Sequence, residues 1–435
     1  MKFRNAQSLF LLMLLTLQSG CSLIKTDQEI KEIDSAVTIS GKIQNAKNPD
    51  TPIVIGLFKK GKEKGKEKER VKEQGNKNKY TLLQSTVVYG NSAFEFLTEE
   101  DSYYIAAFAD INQDFILQKN ESAGWYGKPS ALKMISGKQI PPIQITLKPP
   151  AEVNIDMPSI YDANYLQLIT LKNDQTLGRV LKITDPSLSH SVGQLGLWHP
   201  LEFVKQQKYG IFFLQEYDPK KIPIIFFHGI GGSGADLKSL IASIDTNKFQ
   251  PWVLQYPSGL RLDLIASHSS GEINKLRSKY HFDQYVVIAH SMGGLLSRSI
   301  IERQLSQKRE VDIPLFISIS TPWNGHKAAT WGIEGAPVVI PVWFDIAPGS
   351  PYLKGLQQQI AKTPVRHHLL FSYKGNLSLI NSENNDGTVT LSSELLPVVQ
   401  THAEEVYGFD VDHVGILQHQ EMLDRVNQRL SEIVF

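Results

Sequence analysis

Residues 284–298 read QYVVIAHSMGGLLSR, and the fold is decided by how that stretch has to bend. Tyr285-Val286-Val287-Ile288 is a short apolar, β-branched run, the pattern of a buried strand. Gly293-Gly294 then lead into Leu295-Leu296-Ser297-Arg298-Ser299-Ile300-Ile301, which has helical spacing. Between the two lies Ala289-His290-Ser291-Met292-Gly293. A strand that turns this sharply into a helix pushes the serine of the turn outward. Small residues must flank it, because the helix passes close to the strand. Gly293 meets that need on one side. Ala289 stands where G-x-S-x-G has its first glycine, and alanine is the next smallest residue. Ser291 is therefore a candidate nucleophile.

The surroundings extend the pattern. Upstream, Ile222–Phe227 is continuously apolar, as a buried parallel strand should be. It ends in His228-Gly229-Ile230-Gly231-Gly232-Ser233-Gly234, where glycines free the backbone to turn. No Gly-Lys-Ser/Thr follows, so this is not a phosphate loop. Residues 252–256 read as the next strand, 263–280 as a helix, and 313–320 as the strand after the serine's helix. Strands alternating with helices imply α/β architecture with a mainly parallel, doubly wound sheet. A nucleophilic serine needs a base, and the base an orienting acid. Two late stretches offer them: Asn384-Asn385-Asp386-Gly387-Thr388-Val389 after a strand at 367–373, and Asp412-His413-Val414-Gly415 before the last helix.

These motifs resemble the α/β-hydrolase superfamily. AHSMGG, the HG loop and Thr321-Pro322-Trp323-Asn324-Gly325 resemble its lipase and esterase branch, including the group related to GPI-inositol deacylases. The resemblance covers about residues 222–435. It implies the chain order serine, acid, histidine. Asp386 lies in a short acidic turn just beyond a strand end, where the resemblance places the acid, and its NDGTV wording is close to the family's; it is preferred over Asp345, Asp410 and Asp412, although residues 345–350 (DIAPGS) also resemble the lipase-like group. His413 is the base; His367, His368, His402 and His419 lack its DHxG setting, and His228 belongs to the HG loop. The backbone amides of Ile230 and Met292 would form the oxyanion hole. The implied activity is hydrolysis of a carboxylic ester, of a lipid or another hydrophobic substrate, with no metal and no cofactor. Amide or thioester cleavage, or acyl transfer, would use the same residues. Residues 326–363 form a long apolar connection, readable as a lid over an acyl pocket or as a packed surface excursion.

The chain has 435 residues, a net charge of +1 and one cysteine. That allows two or three domains, gives no sign of nucleic-acid binding and excludes an intramolecular disulfide. Lys2 and Arg4 precede an apolar run at 9–17 that is too short to span a bilayer, and Ser19-Gly20 precede Cys21. This resembles a bacterial lipoprotein signal, residues 1–20, with lipid on Cys21; Gln18 departs from the motif, where leucine is usual. The resemblance implies a lipid-anchored envelope protein, and Ser22 in place of aspartate points to the outer membrane. Residues 21–36 read as a polar tether.

Residues 37–150 hold several short strands, three of them alternating apolar and polar residues (37–44, 52–58, 80–89), and resemble a small β-sandwich. A basic, low-complexity stretch at 59–79 reads as a mobile hairpin loop, with attachment to an anionic surface as the functional alternative. If the sandwich and this loop were the working part, the hydrolase half would be an inactive scaffold; the intact motifs argue against that. Asp110, Asn112, Asp114 and Glu121 have the spacing of a calcium loop. Phe115 sits where such a loop needs glycine and flanking helices are missing, so a turn rich in Asx residues is the reading adopted. Lys148-Pro149-Pro150 mark a boundary, and residues 151–221 bridge to the sheet with a helix at 200–207 and a strand at 210–214.

Overall fold

The computed structural model describes residues 20–60, 80–127, 130–138, 140–152, 177–307, 311–375 and 383–433. The expected signal peptide (1–20) therefore falls, except for Gly20, outside the described residues. So do residues 61–79 of the basic stretch and 153–176 of the bridging segment.

The chain enters through helix α1 (Gly20–Ser35). This corrects the tether expected at 21–36. Thr26, Glu29, Ile30 and Ile33 recur at helical spacing, and Thr26, Glu29 and Ile30 are buried. Ile30 joins the core of the catalytic half. Cys21 stands in the first turn of α1.

Among the described residues, eight strands follow: β1 (Val37–Gln44), β2 (Pro52–Lys60), β3 (Tyr80–Tyr89), β4 (Ala93–Thr98), β5 (Ser102–Ala109), β6 (Ala123–Tyr126), β7 (Leu132–Lys133) and β8 (Ile143–Thr146). They form one sheet ordered β4-β1-β8 and another ordered β3-β2-β5-β6, with β7 also on β5. Ile39, Ile43, Ile55, Leu57, Ile105 and Ile145 fill the core of this sandwich. Two expectations change. Strand β2 runs on through Lys59 and Lys60, so the basic insertion starts two residues later. Strand β2 is also buried on both faces, because Val54 and Phe58 pack into a second cluster with Leu82, Val87 and Phe108.

The second half supplies helices α2 (His190–Trp198) and α3 (Pro200–Lys205), then strands β9 (Gly210–Phe213), β10 (Ile222–Phe227) and β11 (Phe249–Gln255). Helix α4 (Leu262–Tyr280), β12 (Val286–His290), helix α5 (Met292–Leu305) and β13 (Phe316–Ile319) come next. Helices α6 (Lys327–Gly335) and α7 (Pro351–Ile360), strands β14 (His367–Ser372) and β15 (Glu405–Phe409) and helix α8 (Gln420–Ser431) follow, with shorter helices between them. The sheet order is β15-β14-β13-β12-β10-β11-β9, parallel except for β9. This is the α/β-hydrolase fold, and it is doubly wound as expected. Ile225, Phe227 and Val287 pack in one cluster with Ile273 and Leu276 of α4 and Leu295 and Ile300 of α5. Ile224, Phe226 and Ile288 pack in the other with Met422, Val426 and Leu430 of α8. Cover on both faces is why these strands are apolar throughout and do not alternate.

The halves touch directly. Thr86 of β3 lies so close to α4 that a Cβ on Gly271 would come within 2.3 Å of its hydroxyl. Asn274 Nδ2 donates to the Val87 carbonyl at 2.8 Å. Helix α1 docks elsewhere: Glu29 Oε2 accepts the amides of Leu201 and Glu202 at the start of α3. That helix end has no side-chain cap of its own, so the carboxylate supplies one.

Candidate active site

Strand β12 is the middle strand of seven, and α5 starts two residues after its end, across Ser291. Ser291 takes φ 54°, ψ −132°, a conformation disfavoured for any residue but glycine. Such strain costs about 1–3 kcal/mol. Leu295, Leu296, Ile300 and Ile301 of α5 are fully buried, and each contributes about 1.5–3 kcal/mol by leaving water, which outweighs it. The need for glycine at 293 is steric: a Cβ there would lie 2.5 Å from the His228 carbonyl oxygen.

His413 Nε2 lies 3.0 Å from Ser291 Oγ, and His413 Nδ1 lies 2.5 Å from Asp386 Oδ2. The Nδ1–H donates to the carboxylate, which leaves Nε2 as an acceptor facing the serine. Three residues named from the sequence thus meet from three separate elements. Asp386 Oδ1 accepts the amides of Thr388 and Val389, and Oδ2 also accepts the Ser372 hydroxyl. Burial alone would raise the Asp386 pKa. The His413 contact and these donors reverse that and hold it at about 2.

The HG loop runs beside the serine. A Cβ on Gly229 would sit 3.0 Å from Ser291 Cβ and 3.4 Å from its Oγ. Ile230 is the next residue, and its side chain is partly exposed. Met292 opens α5, so its amide has no acceptor within the helix. The loop is held from below. Gln194 Nε2 of α2 donates to the Gly231 carbonyl, Ser258 Oγ accepts the Gly231 amide, and Gln255 Oε1 accepts the Gly234 amide. Helix α2 of the bridging segment is therefore a support for this loop.

The rival residues do not reach the serine. Asp345 is buried and caps α4, accepting from the Leu262 amide at 2.6 Å and from Arg261 Nε at 2.7 Å. Asp410 is exposed, and Asp412 caps the turn at 414–415. His367 bonds Ser318, His368 bonds Glu405 and His402 bonds the Val398 carbonyl. His228 is fully buried against Tyr256, and burial lowers its pKa to about 4.

Four supporting residues escaped the sequence reading. His290 Nε2 donates to the His413 carbonyl at 2.9 Å, and burial holds its ring neutral, with a pKa of about 3. His326 Nε2 donates to the Thr388 carbonyl at 2.7 Å and so ties the acid loop to the start of α6. Ser372 and Ser320 hydroxyls lie 2.7 Å apart behind Asp386. His290 was inside the quoted motif, so position gave a signal; the other three come together only through the fold.

Residues 326–363 carry α6, the short helix Trp343–Ile346 and α7. Ile340, Val342 and Trp343 are buried in the catalytic core, and the Val342 amide bonds the Gly259 carbonyl at 3.1 Å. Asp386, Glu394 and His413 each bring a possible ligand atom within 4.8 Å of the others. The His413–Asp386 contact is a hydrogen bond, however, and its proton occupies the nitrogen lone pair that a cation there would need.

Residues 271–336 match the lecithin:cholesterol acyltransferase family. No curated protein sequence matches the chain. Among solved structures, the chain is similar to the mature Bacillus licheniformis lipase BlEst2, at 17% identity and a TM-score of 0.40, over 51% of this chain and 98% of that one. It is similar to Aspergillus fumigatus lipase B at 15% identity and a TM-score of 0.38, over 51% and 56%. It is similar to the Legionella pneumophila phospholipase PlaB at 14% identity and a TM-score of 0.34, over 40% and 45%.

Proposed function

We propose that the protein is a membrane-anchored serine hydrolase that cleaves carboxylic esters of lipids or other hydrophobic acyl compounds. One observation carries this reading: the unbroken run from Ser291 Oγ through His413 to Asp386, at 3.0 and 2.5 Å, on a strained turn beside a glycine loop.

The chemistry follows from the geometry. His413 Nε2 takes the Ser291 hydroxyl proton as Oγ attacks the ester carbonyl. The carbonyl oxygen gains the negative charge and is met by the Ile230 and Met292 amides. His413 returns the proton to the leaving alcohol, which departs and leaves an acyl-enzyme. A water then attacks, giving its proton to His413 and releasing the acid and Ser291. Asp386 stays ionised throughout and holds the imidazole tautomer.

A hydrophobic substrate is supported by the rim. Ile230 follows Gly229, which packs against Ser291, and Val414 follows His413 in the chain; both expose apolar surface. The match with the acyltransferase family makes transfer to an alcohol the second outcome, in place of transfer to water. Anchoring is proposed through lipid on Cys21. Because α1 is docked on α3, such an anchor would hold the catalytic half close to the bilayer. No described helix is long and apolar enough to cross a membrane.

Hydrolysis of p-nitrophenyl esters of rising chain length, with and without an added long-chain alcohol, tests the reaction. Turnover that increases with acyl length and vanishes in Ser291→Ala is expected. Turnover unchanged in that variant would reject the reading. For the anchor, Cys21→Ser should move the protein from the detergent phase to the aqueous phase of a phase-separation assay. Equal partition of variant and wild type would reject lipidation.

A further inference from the structure

Asp386 has a second neighbour besides His413. Glu394 closes the short helix Leu391–Glu394 and is 1% exposed. Among the described residues, no group meets either of its oxygens with full hydrogen-bond geometry. The groups facing it are the Asp386 carboxylate, the Ser320 hydroxyl and the Ser372 backbone. Its titratable neighbours in this cluster are Asp386 and His413, all three within 4.8 Å. Ser372 gives its hydroxyl proton to Asp386, so Ser320 is the donor in the Ser320–Ser372 contact. Its proton is then spent on Ser372.

Two ionised carboxylates this close and this deep do not coexist. Asp386 has the donors: an imidazole N–H, a hydroxyl and two amides. It is the one that ionises. Burial, and then the Asp386 charge, push Glu394 well above the usual carboxylate range. A protonated carboxyl has one O–H to give, and the anion facing it is Asp386.

We propose that Glu394 is a positioning residue of the triad: as a neutral acid it donates a hydrogen bond to Asp386 and fixes the carboxylate that orients His413. The proton stays on Glu394 throughout the cycle. This inference rests on the serine-hydrolase reading.

The test compares wild type, Glu394→Gln and Glu394→Leu on one short p-nitrophenyl ester, after a fluorophosphonate has labelled the wild type. The Gln variant keeps a neutral donor. Its kcat should stay within about threefold of wild type, and the acid limb of its pH–rate profile should not move. The Leu variant loses the donor. Its kcat should fall about 10- to 100-fold with little change in KM. An acid limb displaced to lower pH in Glu394→Gln would mean that a negative charge had been removed from beside the imidazolium, and would overturn the proposal. Wild-type kcat in a folded Leu variant would overturn it too. If the Leu variant does not fold, the infrared difference between wild type and Glu394→Gln at neutral pH decides: a protonated-carboxyl band is expected, and its absence overturns the proposal whatever the activities. A labelled wild type with indifferent Glu394 variants fails the positioning role alone, whereas an unlabelled wild type fails the hydrolase reading and this role with it.

Discussion

Asp110 and Glu121 in the sandwich, and Asp386 and Glu394 in the catalytic half, are both pairs of buried carboxyls. They differ in what donates to them. Asp110 accepts the amides of Asp114 and Phe115, and Glu121 those of Ile111 and Gln118. Every one of those donors is a backbone group of the same loop, and together they fold it. Phe115 even takes a left-handed φ of 60°, in the position where the calcium spacing calls for glycine. Asp386 also accepts local amides, but its strongest donor is a ring 27 residues away that can exchange its other proton with a serine. Burial alone therefore does not mark a catalytic acid; a mobile proton beside it does.

The titrations separate the two in sign. Burial, reinforced by Glu121 and Asp114, raises Asp110 to about 7 against the pull of its amide bonds. Asp386 is buried too, yet His413 and the other donors bring it down to about 2.

The largest contrast lies in activity. Asp386→Asn should lower kcat by about 10⁴-fold, because an amide N–H facing His413 favours the wrong tautomer. Asp110→Asn should leave kcat within about twofold. Comparable losses in the two variants would break the distinction. A smaller effect sharpens it: Ser372→Ala removes one donor from Asp386 and should cost about 3- to 10-fold in kcat.

Next come the stability profiles, by denaturant unfolding across pH. The folded pKa of Asp386 lies below its unfolded value. Its contribution, about 2 kcal/mol relative to Asp386→Asn, is present above about pH 4 and lost as pH falls towards 2. The folded pKa of Asp110 lies above its unfolded value, so wild type should lose on the order of 4 kcal/mol relative to Asp110→Asn as pH rises from about 4 to about 7. Slopes of the same sign would contradict the account. The smallest effect concerns the loop itself. Millimolar calcium should move Tm by less than about 1 °C, since the loop carboxylates are engaged by amides. A clear rise would show that they trade those amides for a cation.

The serine turn, the HG loop and the order of Ser291, Asp386 and His413 were legible because each sits in a short motif whose local backbone is its own constraint. The parallel sheet was legible because strands buried on both faces are apolar throughout. Helix α1 was not, because its composition is polar; the spacing of Thr26, Ile30 and Ile33 was the available signal. Strands β6 and β7 have four and two residues, too few for a period to show. Ser320, Ser372 and Glu394 stand at the ends of β13, β14 and a four-residue helix. No local pattern relates them, and only the packing of the sheet brings them behind Asp386.

The most direct measurement is to react the purified protein with a fluorophosphonate and locate the adduct by mass spectrometry. The account predicts one adduct, on the peptide containing Ser291, absent in Ser291→Ala and formed at least about 10³-fold more slowly in His413→Ala. An adduct on another residue, or equal labelling of Ser291→Ala and wild type, would contradict it.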